Sequence, residues 1–201
     1  MAILEFNEPE LRKELDGLPK QLRAAFAAAC AQRQYPNYVK FAQRVRNGDA
    51  NVLARILEEL WNAIEGGATK SSLQKELDLC MSLFPNDEQQ AMSGAAQADN
   101  AVASTAYAIR TQLTGDTQEA AWAARRACDA LDAYIVSHLN RGIIDRALER
   151  RIASHPLIQS ELGRQRRDLV ELGVKIKHEG DNQALISEFR RRAEQELIEL
   201  P

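Results

Sequence analysis

Apolar residues return every three or four positions along most of the chain, the signature of helices that bury one face. Between 50 and 65 the stripe is Leu53, Ile56, Leu57, Leu60, Trp61 and Ile64. Between 117 and 141 it is Ala120, Ala124, Ala127, Leu131, Tyr134 and His138, widened by Cys128 and Ile135. Between 157 and 178, Ile158, Leu162, Gln165, Leu169, Leu172 and Ile176 recur at nearly heptad spacing, with Gln165 the one polar member. No segment alternates strictly, so no strand is predicted. Helices are expected near 8–16, 20–34, 36–46, 50–65, 71–84, 94–113, 117–141, 143–153, 157–178 and 182–199. The expected fold is all-α, a single-domain multi-helical bundle of about eight to ten helices without a sheet, spanning 1–201.

Local punctuation agrees with these boundaries. Ser71–Gln74 and Asp116–Glu119 have the spacing of a capping box. Gly66-Gly67, Gly115 and Gly142 fall where periodic segments stop. Pro19, Pro36 and Pro156 suit first-turn positions, where the missing N–H is unpaired in any case. Pro36 is expected to break one helix and start another. Residues 95–108 are small on every face, so this segment is expected to be the central helix, and 85–93 the one long connection.

Composition strengthens the helical expectation. The chain of 201 residues holds 31 Ala and 23 Leu against 24 Val, Ile and Thr together, a balance that disfavours a large sheet. Three cysteines, Cys30, Cys80 and Cys128, show no CxxC spacing and read as small buried hydrophobes in a reducing compartment. Residues 1–9 lack a basic segment followed by an apolar one, and no apolar run approaches the ~18 residues of a membrane span. A soluble, cytoplasmic protein with no membrane contact is expected. Net charge is −3, but residues 141–192 carry +4 within an otherwise acidic chain.

Most tests for chemistry are negative. GxGxxG, GxxxxGK and GxSxG are absent, so neither a phosphate loop nor a nucleophile elbow is indicated. His138, His155 and His178 are isolated from one another and from cysteine, which leaves no zinc or di-iron pattern. No cofactor, no metal site and no catalytic residue are expected. His138 reads as a hydrogen-bonded core histidine, and His155 as the opener of the helix at Pro156. Arg164, Arg166 and Arg167 are candidate phosphate contacts, although i,i+4 pairing such as Arg164–Asp168 would make them a solvated face. Trp122 lies opposite Leu131 on its helix, beside Arg125 and Arg126. These three are the candidate interface, covered by a further helix layer or by a second subunit.

Tyr35-Pro36-Asn37-Tyr38, Phe41 and Trp61 hold four of eleven aromatic residues within 27 positions. Asp49 is placed to cap the following helix. Such a cluster is either a helix corner locked by packing or the wall of a polar pocket. The stretch Arg33–Phe41, with Gly48-Asp49 and Leu60-Trp61, resembles the YjaG-like bacterial family, domain-of-unknown-function family 416. Phe84-Pro85, Ala98-Asp99 and Pro156…Glu161…Gln165 resemble its pattern too, and the similarity runs from about 20 to 180. The resemblance implies a small all-helical bacterial protein and no particular activity. Its signature falls on Tyr35, Pro36, Asn37, Tyr38, Asp49, Trp61 and Asp99, the candidate pocket. Buried among small residues, Asp99 would need a partner, and Tyr35, Tyr38 or Asn37 is expected to supply it.

Three functions follow as expectations. The first is a non-catalytic protein-interaction module or homodimer. An alternative is a small-ligand-binding protein or enzyme with a polar pocket around Asp99 and the Tyr35–Tyr38 corner. The other alternative is a nucleic-acid accessory protein acting through the arginines of 141–192.

Overall fold

Alanine decides which helices come innermost. The computed structural model describes residues 3–45, 49–139, 146–178 and 182–200, and among these it holds ten α-helices and no strand. In chain order they are α1 (Glu8–Asp16), α2 (Lys20–Ala42), α3 (Ala50–Ile64), α4 (Lys70–Met81) and α5 (Asp87–Gln90). Then come α6 (Ala95–Thr114), α7 (Thr117–Leu139), α8 (Arg146–Ala153), α9 (Pro156–His178) and α10 (Asn182–Gln195). Gly48, Gly142 and the side chain of His178 lie outside the described residues.

Helix α6 is central, as its small residues predict, but α2 shares the position. Ala24, Ala25, Ala27, Ala28, Ala29 and Ala31 are all buried, so side chains of one methyl let α6 and α7 approach α2 closely. Helices α3, α9 and α10 cover the remaining sides of α2, while α4 lies on α6 and α1 on α7. Hydroxyls inside this packing are satisfied along the backbone. Ser104 donates to the Ala123 carbonyl at 2.9 Å and Thr105 to the Ala101 carbonyl at 2.9 Å.

The stripe of α3 and that of α9 from Ile158 to Leu172 are buried as patterned, the side chain of Ile176 lying outside the described residues, and Gln165 donates to the Ala124 carbonyl at 3.1 Å and to Glu161 at 2.9 Å. His138 corrects the stripe of α7. It is exposed at the end of the helix, where its Nδ1 lies 2.8 Å from the Tyr134 carbonyl. The burying face of α7 ends at Ile135.

Pro36 is the second correction. It lies inside the continuous α2, so the two helices expected at 20–34 and 36–46 are one. Tertiary burial of Gln34, Asn37, Tyr38 and Phe41 on both sides of the ring holds the helix through the missing N–H. Smaller differences concern caps. Thr69, not Ser71, caps α4, and the connection at 85–93 contains α5, closed by a capping box between Asn86 and Gln89. Asp49 caps α3 as expected, accepting from Asn51 N–H at 2.9 Å, and Asp116 does the same for α7 through Gln118. His155 Nδ1 accepts from Leu157 N–H at 3.3 Å at the start of α9.

All three cysteines are buried and unpaired. Burial pushes the Cys80 thiol up to about 12 and raises Cys30 and Cys128 as well, so these groups stay protonated hydrophobes. No described helix is long and apolar enough to cross a membrane.

Candidate functional site

One face of α2 carries Arg33, Asn37, Lys40, Phe41 and Arg44, residues spaced to lie one above another on a helix. Its N-terminal half is saturated with charge partners. The Arg33 side chain, 1% exposed, donates to both Glu161 oxygens at 3.1 and 2.9 Å and to Asp168 at 2.9 Å. Glu161 is 0% and Asp168 1% exposed, so two carboxylates and one guanidinium sit fully inside the protein.

Further cations complete the cluster. Arg164 reaches Glu161 at 3.7 Å, and Arg167 and Arg192 each reach Asp168 at 3.1 Å. Arg167 also holds Glu196 at 2.6 Å, and Arg192 holds Glu171. Burial raises the Asp168 carboxyl above its usual range, and Arg33, Arg192 and Arg167 draw it back. At Glu196 burial is the largest single influence and raises the carboxyl, but the hydrogen bonds and charge of Arg167 together with the charges of Arg33 and Arg164 outweigh it and lower the carboxyl. The cluster joins α2 to α9 and α10, and past α10 the Ile198 N–H donates to the Arg33 carbonyl at 2.9 Å.

The C-terminal half of that face opens instead into a cleft of about 480 Å³. Its walls are Asn37, Lys40, Phe41 and Arg44 of α2 and the following turn, the segment from Gln90 to Gln97, Tyr134 and His138 of α7, and Leu200. Asn37 is 3% exposed and donates through Nδ2 to Gln34 at 2.9 Å, yet its Oδ1 has no partner and neither has Gln34 Nε2. A buried unpaired amide atom costs about 1–3 kcal/mol. Turning both amides over keeps their mutual bond and offers the cleft an N–H in place of an oxygen.

Lys40 donates to the Leu200 carbonyl, and Arg44 to the Ser93 carbonyl at 3.2 Å. Among the described residues neither meets a carboxylate, and no Asp or Glu lines the cleft. Gly94 starts α6 with φ +90° and no side-chain cap; the Ala95 N–H turns back to the Met92 carbonyl at 3.1 Å, while Ala96 and Gln97, whose N–H groups have no intrahelical acceptor, line this space. A Cβ at Gly94 would sit 3.0 Å from Arg44 Nη1. The His138 ring stacks on Tyr134 with centroids 4.1 Å apart. Because the Tyr134 carbonyl only accepts, the His138 Nδ1 beside it donates to it.

The residues singled out from the sequence separate into three places. Asn37 lines the cleft, and Asp99 stands at its edge, where it accepts from Gln90 at 3.4 Å. Gln90, not Tyr35, Tyr38 or Asn37, is therefore the partner of Asp99, because Asp99 is half-buried on the side of α6 that faces α5. Tyr35, Tyr38, Asp49 and Trp61 lie together between α2 and α3. There Tyr35 reaches the Ala50 carbonyl at 3.5 Å and Trp61 donates to Gln32 at 3.2 Å. Burial, then the Asp49 charge, raises both tyrosine hydroxyls.

Trp122 is 38% exposed, covered on one side by Tyr107 with ring centroids 5.3 Å apart. It shares a surface hollow with Arg125, Arg126 and Asp129, and both arginines pair with that Asp, at 3.4 and 3.8 Å. Of the candidate phosphate contacts, Arg164 and Arg167 are spent on carboxylates. Arg164 takes Glu161 rather than the expected Asp168, and Arg166 alone of the three is exposed without an ion pair. Among the described residues, no group of three His, Cys, Asp or Glu side chains could hold a metal ion. Sequence reasoning missed the Arg33 cluster and the part of the cleft formed by Arg44, Gly94 and Leu200.

Comparison with known proteins bears on the whole fold. The family model described as "Protein of unknown function (DUF416)" matches residues 10–198. Uncharacterized protein YjaG of Escherichia coli (strain K12) is 26% identical over 105 residues, and its counterpart in Salmonella typhimurium (strain LT2) is 25% identical over 105 residues. Each match covers 52% of this chain and 54% of the relative, so the chain spans about half the length of these relatives. A solved DUF416 family protein from Shewanella baltica OS155 superposes with a TM-score of 0.78 at 21% identity, over 92% of this chain and 93% of that one.

Proposed function

The chain belongs to the DUF416 family, and on that premise we propose that it is a non-catalytic helical protein that binds a small ligand in the cleft beside Asn37. One observation carries the proposal. An amide side chain 97% removed from solvent is left with an unused hydrogen-bonding atom at a cleft wall, where a bound molecule would satisfy it. Volume supports it, since about 480 Å³ falls within the range of small-molecule sites. Ser137 Oγ lies 3.1 Å from His138 Nδ1 in the wall, but its hydroxyl donates to the Tyr134 carbonyl at 2.7 Å and that Nδ1 turns to the same carbonyl at 2.8 Å, so the pair is not set for proton abstraction and binding rather than turnover is assigned. Three unpaired buried thiols suit a reducing compartment, and the cytoplasm is the place we infer.

The experiment is ligand-observed NMR with a fragment library, followed by amide-resolved titration of each hit. Hits should shift the amides of 37–44 and 94–97, and Asn37→Leu with Gln34→Leu should abolish those shifts without loss of stability. Hits that leave these amides unmoved, or that bind the variant equally, would refute the proposal.

The protein-contact alternative draws on a different observation, the half-exposed Trp122 in its hollow. A homodimer through that surface would give twice the monomer mass by light scattering, and Trp122→Ala would return it to the monomer value.

A further inference from the structure

We infer that the ligand of this cleft is an organic anion, with a carboxylate or phosphate group held at the Lys40–Arg44 end and an apolar body lying against Phe41 and Tyr134. The inference rests on the ligand-cleft proposal and adds the chemical class. Along one face of α2 stand three cations. Arg33 is matched inside the protein by Glu161 and Asp168, whereas among the described residues Lys40 and Arg44 are met only by the backbone carbonyls of Leu200 and Ser93. Those carbonyls carry partial charge and cannot neutralise an ammonium and a guanidinium, so the cleft stays positive.

A second observation points to the same sign of ligand. The head of the twenty-residue α6 opens on the cleft through Ala96 and Gln97, with Gly94 unable to cap it. Free N–H groups there favour negative charge. Asn37 is compatible with that sign, because turning both amides over lets it donate an N–H to an oxyanion while keeping its bond to Gln34. The apolar share of the wall, Phe41, Met92, Tyr134 and Leu200, asks for a carbon body rather than a bare inorganic ion. A left-handed glycine next to Arg44 is what allows the guanidinium and the α6 head to stand together.

The test uses matched probes on the full chain: benzoate, phenyl phosphate and the neutral isostere benzamide, titrated at low salt with amide-resolved NMR. Benzoate or phenyl phosphate should shift the amides of 94–97 and 40–44 at least tenfold more tightly than benzamide, and whichever anion is the tighter identifies the head group. Lys40→Gln with Arg44→Gln should erase that tenfold difference while leaving the far-ultraviolet spectrum and urea midpoint near wild type. Equal binding of benzamide and benzoate overturns the anion assignment and leaves the ligand cleft standing. Failure of all three probes at these amides overturns the anion assignment. If the fragment library is equally silent there, the cleft proposal falls with it.

Discussion

Replacing Arg33 by Met keeps an unbranched apolar stem and deletes the guanidinium, leaving Glu161 and Asp168 buried at 0% and 1% exposure without their shared cation. Three charge-assisted hydrogen bonds disappear, at 3.1, 2.9 and 2.9 Å. Breaking a buried ion pair from one side costs about 3–5 kcal/mol, a large part of the ~5–15 kcal/mol that holds a domain together. With a urea slope of about 2 kcal/mol per molar, the midpoint should fall by roughly 2 M.

The pH dependence supplies an independent sign. Burial already raises Asp168 above the unfolded value and Arg33 counteracts it, so removing Arg33 raises the folded carboxyl further. A folded state that binds the proton more tightly gains stability as pH falls from neutrality toward about 4, the unfolded value. The deficit of Arg33→Met should therefore shrink on acidification. A triple variant, Arg33→Met with Glu161→Gln and Asp168→Asn, should recover most of the loss, since Arg167 and Arg192 retain Glu196 and Glu171. Urea unfolding followed by circular dichroism reads all of this. A midpoint within 0.5 M of wild type, or a triple variant no better than the single one, would refute the reasoning.

Two shorter predictions concern other parts of the fold. Pro36→Ala restores a helical N–H inside α2 and should raise stability by about 1–3 kcal/mol in the same urea assay. A loss would mean that Tyr38 and Phe41 are packed to fit the ring. Ellman's reagent should find no reactive thiol in the native protein and three in guanidinium, because Cys30, Cys80 and Cys128 are buried and held protonated. Rapid native reaction of any one would contradict their packing.

What was legible in the sequence follows the range of the forces involved. The stripe Leu53–Ile64, the cap at Asp49 and the small-residue helix at 95–108 are set by neighbours a turn away, and each stands where expected. Pro36 misled because the local preference for a break is weaker than the burial of residues on both sides of it. His138 misled because helical periodicity continues past the point where the neighbouring helices stop covering α7. The Arg33 cluster could not be read from spacing, since its members are 128 and 135 positions apart. Its ends were nonetheless inside two of the stretches that carry the family resemblance, Arg33–Phe41 and Pro156…Glu161…Gln165. Asn37 and Asp99 were named as pocket residues, but the tyrosines named with them belong to the α2–α3 packing.

Arg33 and Asn37 are one helical turn apart on the same face, both polar and both almost wholly buried, yet they should answer substitution with opposite signs. Arg33 bonds both carboxylates it faces, so its removal takes from Glu161 its one close cation and from Asp168 one of three. Asn37 lacks a partner for Oδ1 and Gln34 lacks one for Nε2, so replacing both by leucine removes two unmet atoms together with the bond between them and should leave stability equal or higher. A protein selected for stability alone would fill that position with carbon. The sign of the effect of Gln34→Leu with Asn37→Leu therefore separates an amide pair kept for packing from one kept for a bound molecule, and it can be measured before any ligand is known. A loss of more than about 1 kcal/mol would show that the Gln34–Asn37 bond is itself structural, and the cleft would then lose its main support.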